Sequence, residues 1–265
     1  KVFMGLNYMS SQAFLLGEIF GRMLASLVAI AVLLGKDHGS FKKVSRTGML
    51  QLKARYSSFP KIMTSDQLLN IFGGSLHVLF IGPVFGAEQL GYVALLFSAC
   101  YLPITVVTSS IKDVFRQQAH TDYLETGSCR PLFRTLLIRV SLIGLPVFIV
   151  GYYISPYLFP FVFGEPWRIV GSYAQIMMPT YYFNLVSMSF AGVLIFTQNI
   201  NMSLYWQIAS TLLNAIALYI GCYVFGDVVV CLFLIATVRS VSYLLYILLA
   251  YYYSEDHEFK VRAKE

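Results

Sequence analysis

Few side chains in this chain could do chemistry, and those few stand in strongly apolar surroundings. Arg239 falls near the middle of the apolar run 228–252. Its guanidinium offers a planar fork of donors suited to phosphate or carboxylate. The two readings of it are a cation lining a polar cavity, or a snorkelling or helix-capping arginine within a helix bundle. Glu18 and Arg22 are four residues apart, one helical turn on the same face, which suits a local ion pair or a pair opened by substrate or proton. Asp66, Asn70 and His77 are spaced 4 and 7 apart, placing all three on one helical stripe. Gln175, Asn184 and Gln198 follow later as hydrogen-bonding amides, which either line a cavity or bind helices together. Nothing has the pattern of a catalyst. There is no G-x-S-x-G elbow, the four histidines lack metal spacing, and the four cysteines form no C-x-x-C pair. No catalytic residue, metal or cofactor is expected, and Cys222 and Cys231 read as two buried thiols or a pair.

The elements that must position these groups follow from composition. Of the 265 residues 57% are hydrophobic and only 12% charged, against about 25% charged in a soluble domain. That is too little charge to cover a globule in water, which excludes a purely soluble enzyme and a disordered chain. A bilayer core of about 30 Å needs roughly 20 apolar residues per helix. That ruler predicts seven spans, at about 12–35, 62–85, 92–111, 135–160, 173–197, 203–226 and 228–252. The fourth carries Pro146, Pro156 and Pro160 and is expected to kink or break there. No ten-residue stretch alternates as a membrane barrel strand would, so the fold class is all-α and integral to the membrane. At such depth an arginine costs roughly 2.5–3.5 kcal/mol and faces a partner or water. A polar stripe likewise must face protein or water rather than lipid.

Of the 19 Lys and Arg residues, 15 fall on one face of this topology. They lie in the segment 36–61, around the loop after the third span, and in the tail 253–265. The opposite face holds only Lys1 and Arg168. By the positive-inside rule the N-terminus is outside and the C-terminus cytoplasmic. The net charge of +6 is then a topology signal, and no nucleic acid is expected as a partner.

Three hairpins turn at the outer face on the same tripeptide: Val84-Phe85-Gly86, Val162-Phe163-Gly164 and Val224-Phe225-Gly226. Glycine there is expected as a left-handed helix cap, and the recurrence suggests repeated helical hairpins. The segment 36–61 interleaves apolar and basic residues, as a short helix in the anionic interface would. The organisation expected is therefore 1–35 as a terminal helix of an N-terminal lobe and 36–61 as a basic cytoplasmic linker. A six-helix lobe over 62–252 and a tail over 253–265 complete it.

Arg55-Tyr56-Ser57-Ser58-Phe59-Pro60-Lys61 runs into Leu68-Leu69-Asn70; Val84-Phe85-Gly86 then precedes Leu90-Gly91-Tyr92, with Phe163-Gly164-Glu165-Pro166-Trp167 beyond. This order resembles the C-terminal part of polysaccharide-transport flippases of the multidrug/oligosaccharidyl-lipid/polysaccharide (MOP) exporter superfamily, over about residues 21–251. The resemblance implies a bacterial inner-membrane, multi-pass protein with two six-helix lobes, of which roughly five helices would precede Lys1. It implies alternating access that carries lipid-linked oligosaccharide of the polyprenyl-phosphate type to the outer leaflet, as in O-antigen and lipopolysaccharide synthesis, with other polysaccharide assembly proteins as partners. Arg239, Arg22, Glu18, Asp66, Asn70, His77 and Asn184 are the candidates for the cavity wall. Other readings are an ion-coupled small-molecule exporter of the same superfamily and a seven-helix receptor. The receptor reading lacks an Asp-Arg-Tyr and an Asn-Pro-x-x-Tyr.

Overall fold

The structure, a computed structural model, describes residues 11–36, 58–197 and 199–255. Most of the linker, the tail beyond Glu255 and Gln198 lie outside the described residues. The chain divides into two units, Lys1–Ser57 and Ser58–Glu265. The first contains helix α1 (Ser11–Lys36).

The second unit is wholly helical among its described residues apart from one isolated bridge. It runs α2 (Ser58–Thr126), α3 (Arg130–Phe163), a 3-10 turn Glu165–Trp167, α4 (Arg168–Ser189), a short α5 (Val193–Phe196), α6 (Ile200–Tyr219), a π-helical turn Ile220–Phe225, and α7 (Val228–Tyr252). Five of its helical runs are long and apolar enough to cross a membrane. The first of these, α2, is two arms reversed at Gly86, which has φ 84 and ψ 175. Six traverses result, and α2 replaces the second and third expected spans. Its second arm continues to Thr126, well past the expected end at 111, because the polar residues after Lys112 keep helical order without an apolar signature.

Each of the five reversals contains a positive-φ glycine: Gly86, Gly127, Gly164, Gly192 and Gly226. Gly86 and Gly164 (φ 98, ψ 163) share an extended left-handed backbone that is essentially closed to other residues. Gly226 instead adopts the ordinary left-handed helical conformation at φ 62, ψ 28. The shared tripeptide therefore covers two turns of one kind and a third of another.

The expected break in the fourth span is absent, since α3 is one helix from Arg130 to Phe163 with all three prolines inside. Proline at 156 removes the N–H that would bond the carbonyl of Tyr152. Gln175 on α4 donates Nε2 to that carbonyl at 2.9 Å, so a neighbouring helix repairs the ladder. Alongside, Ser155 Oγ donates to the Gly171 carbonyl at 3.1 Å. A Cβ at Gly171 would fall 2.5 Å from the Ser155 carbonyl oxygen, so only glycine permits this approach.

Helix α4 is the central element, packed on α2, α3 and α7 with most of its faces buried. Thr180 ties it to α7 by donating to the Ala236 carbonyl at 2.9 Å. Helix α3 by contrast exposes Leu142, Ile143, Tyr157 and Phe161, the last at 87%. An apolar face of that extent belongs against lipid. At the far end Phe133 stacks on Phe190 at 4.1 Å, with Phe115 edge-on to Phe190 at 5.1 Å. There Arg130 pairs with buried Glu255 and lies 4.8 Å over the Tyr251 ring. The Cys129 N–H donates to the Ser254 carbonyl at 2.9 Å. This clasp joins the start of α3 to the end of α7. At the opposite end Cys222 and Cys231 are buried thiols with sulfurs 3.5 Å apart.

Candidate functional site

A cavity of about 590 Å³ opens between the two arms of α2, α6 and α7. The first arm contributes Asn70, Gly73, Gly74 and His77; the second contributes Phe97 and Tyr101. Helix α6 presents Trp206, Gln207, Thr211 and Asn214, and α7 presents Arg239 and Tyr243. The lining combines aromatic and aliphatic side chains with neutral amides, hydroxyls and the His77 imidazole around one guanidinium. The glycine at 73 lets α2 and α6 approach, since a Cβ there would stand 3.0 Å from Thr211 Oγ1.

Arg239 is half-buried and held by neutral acceptors. Its Nη2 donates to the Gly73 carbonyl at 3.5 Å. With the Asn214 amide turned so that its oxygen faces the guanidinium, that oxygen accepts from Nε and from Nη2, each at 3.0 Å. The opposite assignment would set two donors against each other. The Phe97 ring lies 5.2 Å from the guanidinium carbon, within cation–π range. His77 stacks on the same ring with centroids 4.5 Å apart. Among the described residues no carboxylate lies within 4 Å of Arg239. The charge therefore keeps its hold on any anion that enters.

The other sequence candidates fall elsewhere. Asp66, one turn before Asn70, is half-buried and accepts from Ser203 Oγ at 3.3 Å, tying the start of α2 to α6. It is not among the residues of the cavity wall. Asn184 is 2% exposed inside the bundle, its Oδ1 without a hydrogen-bond partner among the described residues. It too lies off the wall, although Met188, one turn on, reaches it. Gln175 serves the α3 backbone as described. Arg22 sits on α1, its carbonyl accepting from Ser26 Oγ at 2.9 Å, and the side chain of Glu18 lies outside the described part. Among the described residues no cluster of His, Cys, Asp and Glu could hold a metal.

Sequence reasoning missed the whole contribution of α6. Gln207, Ser210, Thr211 and Asn214 recur at helical spacing of 3, 4 and 7, the same signal that marks the Asp66 stripe. The aromatic residues gave no signal, since a membrane helix is rich in them on every face.

The described residues thus form an all-helical set of membrane-spanning runs around a cavity whose wall carries one guanidinium. A solved MOP superfamily transporter from Pyrococcus furiosus Vc1 (DSM3638) is similar in fold, with a TM-score of 0.56 at 17% identity. The match covers 72% of this chain and 41% of the other, so the chain spans well under half of that protein's length. No curated protein matches the chain. A family model described as polysaccharide biosynthesis protein matches residues 1–171, and the chain belongs to that family.

Proposed function

We propose that the chain forms part of a multi-pass inner-membrane transporter that moves a lipid-linked oligosaccharide to the outer leaflet by alternating access. The observation that carries this reading is Arg239: a half-buried guanidinium at membrane depth, oriented by neutral acceptors, with no carboxylate within 4 Å among the described residues. A guanidinium held only by neutral acceptors keeps its charge available to an anion, and a polyprenyl-linked sugar brings phosphate. The rings of Trp206, Tyr101 and Tyr243 offer flat apolar faces to sugar rings, and Asn70 and Gln207 offer amides to hydroxyls. Membership of a polysaccharide-biosynthesis family supports that cargo over a receptor ligand. The solved relative is described as having a binding pocket of reverse polarity that suggests a different function. The described wall of the cavity in this chain carries one guanidinium and no carboxylate.

In this reading the segment 36–61 and the C-terminus face the cytoplasm, and the Gly86, Gly164 and Gly226 turns face outside. The sugar head passes along the cavity wall while the lipid tail stays in the bilayer. Other polysaccharide assembly proteins would supply and consume the cargo.

The test is glycan export in a strain that depends on this protein. Arg239→Ala leaves protein abundance unchanged and weakens cargo binding by about 1.5–3 kcal/mol, roughly 10–150-fold, so export stops or nearly so. Arg239→Lys recovers part, because charge remains while the fork is lost. Normal export by an abundant Arg239→Ala protein overturns the reading.

A further inference from the structure

The guanidinium of Arg239 has five N–H donors. The Asn214 oxygen takes Nε–H and one Nη2–H at 3.0 Å each, and the Gly73 carbonyl faces Nη2 at 3.5 Å. One face of the plane is turned to Phe97. Nη1 has no hydrogen bond among the described residues, so its edge is what the arginine has left to offer. The acceptor that fixes this geometry is an amide. A carboxylate has the same shape at this position and would hold the same two donors more tightly, but it would also cancel the charge.

We propose that Asn214 is the positioning residue of the site: it orients Arg239 so that the Nη1 edge is presented to a phosphate group, and does so without neutralising it. The proposal rests on the reading of Arg239 as the cavity cation. It explains why α6 carries a neutral acceptor opposite an arginine where an ordinary structural pair would use an acid. A purely structural role makes a different demand, since Asn214→Asp would then keep the link between α6 and α7 through the same two donors and leave the cavity working.

The experiment measures binding of farnesyl diphosphate, a short polyprenyl diphosphate, to the purified full chain in detergent, with thermal unfolding run on the same samples. Asn214→Asp is expected to keep or raise the unfolding midpoint while weakening binding more than tenfold, close to the loss in Arg239→Ala. Asn214→Ala is expected to weaken binding about three- to tenfold. Added to Arg239→Ala, it should cause no further loss, because its effect runs through the arginine. Normal binding by Asn214→Asp, with binding lost in Arg239→Ala, overturns the positioning role and leaves the transport reading intact. Normal binding by Arg239→Ala overturns the arginine reading and this proposal with it. Should Asn214→Asp fail to insert, the double variant decides: additive losses overturn the proposal, and no further loss supports it.

Discussion

Gln175 Nε2 donates to the carbonyl of Tyr152 at 2.9 Å, the carbonyl that Pro156 leaves without its helical donor four residues on. The side chain of one traverse thus completes the backbone of another. Ser155 Oγ also reaches this carbonyl, at 3.3 Å, but its one proton is shared with the Gly171 carbonyl at 3.1 Å, so Gln175 is the main donor. Gln175→Leu is expected to destabilise the protein by about 0.5–1.5 kcal/mol, read as a lower unfolding midpoint in detergent. Pro156→Ala restores the N–H, and in that background Gln175→Leu should cost much less. Equal costs in both backgrounds would refute the repair.

The two glycines at 86 and 164 have backbones that side chains avoid, at ψ 175 and 163 with positive φ. Gly86→Ala and Gly164→Ala are each expected to cost about 1–3 kcal/mol. Gly226→Asn should cost far less, because asparagine tolerates the left-handed helical region at φ 62. Unfolding midpoints of the three variants check the ranking.

Gly171 and Gly91 make a matched pair. A Cβ at Gly171 meets backbone at 2.5 and 2.6 Å, whereas one at Gly91 meets nothing within 4 Å. Gly171→Ala should force α3 and α4 apart and sharply lower the amount of inserted protein. Gly91→Ala should accumulate normally.

Orientation is open to direct measurement. Reporters placed within 36–61 or after Glu265 should read as cytoplasmic, and reporters beside Glu88 or Asp227 as external. An externally active reporter in the linker would reverse the topology and the direction of transport proposed above.

The traverses were legible because each needs a long apolar run, and Val84-Phe85-Gly86 announced its reversal through glycine. What escaped was anything settled by a neighbouring helix. Pro156 reads as a helix breaker until Gln175 is placed beside it, and the two lie 19 positions apart in sequence. Asp66 shares a stripe with Asn70 and His77, yet it accepts from Ser203 of α6 and lies off the wall. Arg239 was visible because charge is rare at such depth. Asn214 was not, since an amide among apolar residues has many uses and only its 3.0 Å contacts single out one.

The second arm of α2 runs from 87 to 126, which at 1.5 Å per residue is about 60 Å, twice the roughly 30 Å hydrocarbon core. Asp113, Arg116, Gln117, Gln118 and Glu125 are exposed along its far part, so that part stands in water. Phe115, Phe133 and Phe190 bury one another there at 1% exposure or less. The lobe consequently rests on two different solvents. Packing among lipid-facing helices gains nothing from excluding water, whereas this aromatic cluster does, with the heat capacity and urea sensitivity of a soluble core. Urea would therefore loosen the Phe115 end first, while the helices in the bilayer remain assembled.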